Sequence, residues 1–145
     1  MLELSAIESL VLLTLAGYLF YLVTKLDSSK RKTYRLSLNS KIQQSSKIIL
    51  LKSHMNRTIG LLNCLSLDPL HGVLIISKGR ISTKGMLFPI DLIFINQDNK
   101  IIEIQKNRMP GEVFSAQKKH SKVLELSSSH TFSLNVDDHL EFVAD

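Results

Sequence analysis

Three residues near the middle of the chain have the chemistry for a polar site: Arg57, Lys84 and Asp91. The two cations suit an anionic ligand, and a carboxylate could orient the arginine through a bidentate hydrogen bond. Lys84 and Asp91 flank Pro89 at a separation that does not by itself bring them together. A plainer reading makes Asp91 a turn or capping carboxylate and Arg57 a structural ion-pair partner. The histidines, His54, His71, His120, His130 and His139, lack the i, i+3 or i, i+4 spacing of a ligand pair. A metal would require strands to gather them with Asp137 or Asp138, which are more simply a turn, so no metal or cofactor is expected. The single cysteine, Cys64, excludes an internal disulfide or a multi-cysteine zinc site. As a nucleophile it would need a partner base; as a small core residue it needs nothing. Glu103 and Glu125 sit among apolar neighbours, where strand alternation can turn them to solvent. No Ser-His-Asp elbow, phosphate-cradling glycine loop or catalytic carboxylate pair is present.

The elements that would position these residues are short and mostly extended. SKIILLKSH, HGVLIIS, DLIFIN, KIIEIQ, SKVLELS and HLEFV read as strands, rich in β-branched and aliphatic residues. Gln97-Asp98-Asn99 joins the third and fourth, since Asp and Asn tolerate the left-handed turn of a tight hairpin. Leu92 and Phe94 face one way and Ile93 and Ile95 the other, so that strand is covered on both faces. MNRTIGLLNCL suits a brief helix, with Asn56 as N-cap and Ile59, Leu62 and Leu65 turned inward. The pattern predicts a mainly β, small barrel-like domain over residues 47–145 with one or two short helices.

Ahead of it, a dense apolar run spans Leu10 to Val23. Extended back to Leu4 it reaches about 20 residues, enough to cross ~30 Å of hydrocarbon as a helix. Tyr18 and Tyr21 suit the interface, and Glu8 lies close enough to the N-terminal end to reach the headgroups. Acidic residues precede the run and cations follow it, the reverse of a cleaved signal peptide. Residues 1–26 therefore read as a single transmembrane anchor in the cell (inner) membrane. A pilin-like start is a looser match, because the glycine before the processing site is missing. Residues 27–46, rich in Ser and Lys, read as a juxtamembrane linker. The formal net charge is +5, and Lys25, Lys30, Arg31, Lys32 and Arg35 fall within eleven residues. Beside an anchor, such a cluster meets anionic headgroups, and it places the following domain in the cytoplasm, with the periplasm as the alternative. With Tyr34 as the only nearby aromatic, no stacking platform for nucleic acid accompanies it.

From Ile48 to Phe142 the ordered motifs resemble domain-of-unknown-function family 192, also called uncharacterised protein family 0127. The family's R-x-x-G-L-M segment is similar to Arg57-Thr58-Ile59-Gly60-Leu61-Leu62, and its G-M-L-F strand to Gly72-Val73-Leu74-Ile75. Its W-M-K-N-T-x-x-P-L-D-I-x-F stretch resembles Ser82-Thr83-Lys84-Gly85-Met86-Leu87-Phe88-Pro89-Ile90-Asp91-Leu92-Ile93-Phe94. V-L-E-L stands unchanged at Val123-Leu124-Glu125-Leu126, and V-x-x-G-D is echoed by Val136-Asp137-Asp138-His139. The resemblance implies a compact β-rich domain, common in prokaryotes and often behind an N-terminal signal or anchor. It implies no particular reaction. This chain departs from the pattern: Ser82-Thr83 replaces W-M, Gly85 the asparagine, Cys64 a second arginine, and Gly111 or Glu112 a cysteine. The combined expectation is a membrane-anchored, non-catalytic binding or scaffold domain with a protein partner, as an accessory component of an envelope or pilus/secretion-type assembly. The alternative is a small-ligand receptor or enzyme using Arg57, Lys84 and Asp91.

Overall fold

The computed structural model describes residues 32–43, 46–51, 61 and 65–144. The expected anchor, Lys25, Lys30 and Arg31, the residues Arg57 and Cys64, and almost all of the expected short helix lie outside them. Among the described residues there is no helix, and so none long and apolar enough to cross a membrane.

The strands are β1 (Thr33–Leu38), β2 (Lys41–Ile42), β3 (Lys47–Leu51), β4 (His71–Ile76), β5 (Ile81–Ser82), β6 (Ile90–Ile95), β7 (Ile101–Arg108), β8 (Val113–Phe114), β9 (Lys122–Ser127) and β10 (Leu140–Ala144). The main sheet runs β10-β1-β3-β4-β9-β6-β7, with β2 added to β1. All its pairs are antiparallel except β3–β4. At one end the outermost strands meet: Ile101 N–H donates to Asp138 O and Asp137 N–H to Ile101 O, both at 2.9 Å, and Lys100 bridges to His139. The sheet is thus a curled half-barrel, a coarser form of the barrel expected from the apolar strands.

Of the expected linker, residues 27–46, the described part over residues 32–43 differs from that expectation. It holds β1 and β2, and Leu36 is fully buried. The polar composition hid a two-residue hairpin turn, Asn39-Ser40, in which both residues have positive φ (48° and 67°). This is the geometry that suits the twist of a tight hairpin.

Curling gives the middle strands two buried faces. One apolar cluster takes residues from β1, β3, β4, β6, β7, β9 and β10, among them Leu36, Ile48, Ile93, Leu124 and Leu140, and fills the concave side. A second, with Leu51, Val73, Leu92, Phe94 and Met86, covers the other face of β3, β4, β9 and β6. All six residues of β6 are consequently buried. Gly72 sits where β3 and β9 close on β4. A Cβ there would lie 2.7 Å from Leu126 Cδ2, 3.0 Å from Ile48 Cδ1 and 3.1 Å from the Glu125 carbonyl oxygen. The side chains could shift, but the carbonyl is fixed by the sheet. Gly72→Ala is expected to destabilise by about 1–3 kcal/mol, read as a lower urea midpoint at unchanged slope.

Candidate functional site

Asp91 owes its setting to an irregularity in the β6–β7 pair. Ile90 is opposite Arg108 but Leu92 is opposite Gln105, so two residues, Lys106 and Asn107, face Asp91. This is a β-bulge, and Asn107 takes positive φ (50°) within it. The backbone N–H of Asn107 donates to Asp91 Oδ1 at 2.7 Å. The other oxygen, Oδ2, lies 3.2 Å from His130 Nε2. His130 Nδ1 accepts from the Phe132 N–H at 3.2 Å, so the hydrogen of the neutral ring belongs on Nε2, facing Asp91. The imidazole also stacks on Phe132, with centroids 5.8 Å apart. Asp91, 4% exposed, thus ties the bulge to the segment that closes over the concave core.

The nearest approach to a serine-histidine-aspartate set is here, because Ser127 and Ser129 precede His130 and their hydroxyls are 2.8 Å apart. It cannot act as one. Both imidazole nitrogens are engaged, one by Asp91 and one by Phe132, so neither is left to accept a serine proton.

Lys84 lies in a different setting. β5 and β8 form a separate two-stranded ribbon, pairing Ile81 with Phe114 and Ser82 with Val113. The fully buried Thr83 joins the turns at its end. Its hydroxyl donates to Met109 O at 2.8 Å and accepts from Glu112 N–H at 3.1 Å, while its carbonyl accepts from Met86 and Gly111 N–H, each at 3.1 Å. Gly85 has φ +82°, a left-handed conformation that glycine and asparagine both tolerate. The replacement of the family's asparagine by Gly85 therefore preserves the backbone of this turn. Lys84 is exposed, and the side chain that meets Asp91 is His130 rather than Lys84. Of the expected trio, Lys84 and Asp91 lie in these two separate settings and Arg57 is outside the described residues. His130 and Asn107 were missed by sequence reading: no local spacing links them to Asp91, and a bulge leaves no compositional trace.

Around the ribbon, Leu87, Met109 and Val113 are 63%, 53% and 46% exposed. Arg108 lies beside them, its guanidinium 5.4 Å from the Phe114 ring centroid and its buried Nε without a hydrogen-bond partner among the described residues. Of the expected membrane-surface cations, Lys32 and Arg35 are described, and both are exposed, Arg35 on β1.

Two carboxyls are electrostatically distinct. Glu125, which alternation could have turned to solvent, is instead 4% exposed, because β9 is covered on both faces. It lies opposite Val73 and Leu92, and burial pushes its carboxyl up to about 7. Asp138 is held below the usual carboxylate range by hydrogen bonds from the Asn39 side chain and the Asn135 N–H. Asp137, with φ +74°, belongs to the same turn. Glu103 is partly buried and accepts from the Gln105 side chain and the Gln117 N–H. Among the described residues no group of three or more His, Cys, Asp or Glu side chains could hold a metal ion.

These features define a small half-barrel β domain whose central carboxylate is engaged in holding the fold. The chain belongs to the DUF192 family (Uncharacterized ACR), whose model matches residues 36–142. Two solved structures share the fold. A candidate transcription regulator from Sinorhizobium meliloti 1021 is 23% identical, with a TM-score of 0.65 over 77% of this chain and 93% of that one. A protein of unknown function from Novosphingobium aromaticivorans DSM 12444 is 16% identical, with a TM-score of 0.63 over 75% of this chain and 84% of that one. No curated protein matches the chain.

Proposed function

We propose that this chain is a membrane-anchored, non-catalytic binding domain that docks a protein partner, as an accessory part of an envelope assembly. The observation that carries the reading is the face around the β5–β8 ribbon. Leu87, Met109 and Val113 are large apolar side chains left in solvent on the ribbon and the turns that Thr83 holds beside it. Apolar groups on a rigid backbone lose little conformational entropy on docking. Lys84 and Arg108 border them, and neither has an ion-pair partner among the described residues. The complementary partner is a protein segment that presents apolar side chains flanked by carboxylates.

The anchor reading rests on the apolar run Leu10–Val23 and the cations that follow it. The small-ligand alternative around Arg57, Lys84 and Asp91 has less support, because both oxygens of Asp91 are already held.

A photo-reactive phenylalanine analogue placed at Leu87, Val113 or Val143 of the full-length chain in cells tests the face. The same adduct is expected at Leu87 and Val113 and none at Val143, with several-fold loss when Lys84→Glu is added. Equal labelling at all three positions, or none at Leu87, would refute the docking face. Retention of the full chain in membranes after alkaline carbonate washing tests the anchor separately.

A further inference from the structure

The β6–β7 turn carries a second polar feature, remote in kind from the apolar face. A cleft of about 180 Å³ opens there, lined by Asn96, Gln97, Asp98, Lys119 and His120. His120 forms its floor: the residue is 6% exposed, and its ring packs edge-on against Phe94 with centroids 5.0 Å apart. Its Nε2 is buried and has no hydrogen-bond partner among the described residues. A buried polar atom left unpaired carries a desolvation penalty that a bound ligand can relieve.

The surrounding donors are preset. Asn96 Oδ1 accepts the backbone N–H groups of Asp98 (3.0 Å) and Lys100 (2.9 Å), which fixes the amide and leaves its NH2 without a partner among the described residues. Ser121 holds the other wall, its N–H donating to Ile95 O at 2.9 Å, so Lys119 and His120 stay beside the turn. The Lys122 ammonium bonds to Asn99 Oδ1 in the same hairpin. Donors therefore outnumber acceptors: the Asn96 and Gln97 amides and the Lys119 ammonium stand against one carboxylate, Asp98, and the Gln97 carbonyl. Lys100, Lys119 and Lys122 outweigh Asp98 in charge.

We propose that this cleft is a binding site for a small oxyanion, a phosphate or carboxylate group, held by the Asn96 and Gln97 amides, Lys119 and His120. With the hydrogen of the His120 ring on Nε2, the oxyanion accepts it and is charge-paired with Lys119. The site is independent of the docking face, and neither reading depends on the other.

The test is a titration of the isotope-labelled full-length chain in detergent micelles. Inorganic phosphate and acetate are added separately at constant ionic strength, with chloride as the reference, and the Asn96 and Gln97 side-chain amides and the His120 ring are followed by NMR. Saturable shifts are expected with one or both oxyanions, and which of them saturates identifies the group. Lys119→Gln is expected to weaken binding at least about tenfold. Asn96→Asp keeps the acceptor for Asp98 and Lys100 but replaces the donor by a negative charge, and is expected to abolish binding. Shifts no larger than those with chloride, or binding unchanged in both variants, would overturn the proposal.

Discussion

Asp91→Ala is expected to destabilise the domain by about 3–4 kcal/mol, with the loss read from urea denaturation. The substitution removes the acceptor for two buried donors, the Asn107 N–H and the His130 Nε2–H. Each buried donor left unpaired costs roughly 1–3 kcal/mol. The bulge at Lys106-Asn107 then has no group to hold its positive-φ residue, and His130 loses its tie to β6. Asp91→Asn is expected to cost about half as much on the same basis. Its amide oxygen can still accept from Asn107, but its NH2 confronts the His130 Nε2–H. A change of tautomer does not help, because it would turn Nδ1–H against the Phe132 N–H. The opposite result is just as informative. If Asp91→Ala left stability within about 1 kcal/mol of the parent, the carboxylate would not be holding the fold, and a ligand-binding role with Arg57 and Lys84 would return as the better account.

Much of the fold was legible because strand periodicity survives without context. The segments around Ile48, Leu74, Phe94, Leu124 and Leu140 all became strands, and Asn99 takes the left-handed turn (φ 61°) that its residue type allows. The double burial of β6 followed from its unbroken apolar run. The first two strands escaped notice because β1 alternates apolar with polar residues in a Ser- and Lys-rich background, and only pairing with β10 and β3 reveals its register. The ribbon of β5 and β8 is two residues on each side, too short for any period, and depends on the buried Thr83 hydroxyl.

The site was less legible for a related reason. The types of Asp91 and His130 were plain, but their meeting depends on how β6 and the segment after β9 are brought together, which sequence spacing does not encode. Glu125 shows the same limit in reverse. One buried face makes a strand alternate, and two make alternation meaningless, so a carboxyl among Val123, Leu124 and Leu126, which alternation allows to face solvent, stands in the core.

That carboxyl supports the second large prediction. Its pKa is 4.5 in an unperturbed setting and about 7 in the fold, with desolvation as the cause. Below pH 4.5 the group is protonated in both states and adds no pH dependence. Between 4.5 and 7 the unfolded chain gives up the proton while the folded chain keeps it, so unfolding becomes more favourable as pH rises. Each pH unit in that window is worth about 1.4 kcal/mol, so Glu125 alone should remove about 3 kcal/mol of stability by pH 7–8. Glu125→Gln, neutral at every pH, is expected to flatten this slope and to exceed the parent in stability by a similar amount at pH 8. Urea midpoints at a series of pH values between 4 and 8 measure both. Among the described residues no cation or donor meets the carboxyl, which is why desolvation governs the sign. A slope rising with pH in the parent chain would mean that a charge does reach it and holds it ionised. Glu125→Gln would then be the destabilising change, because an ion pair, and not an uncharged carboxyl, would occupy the centre of the sheet.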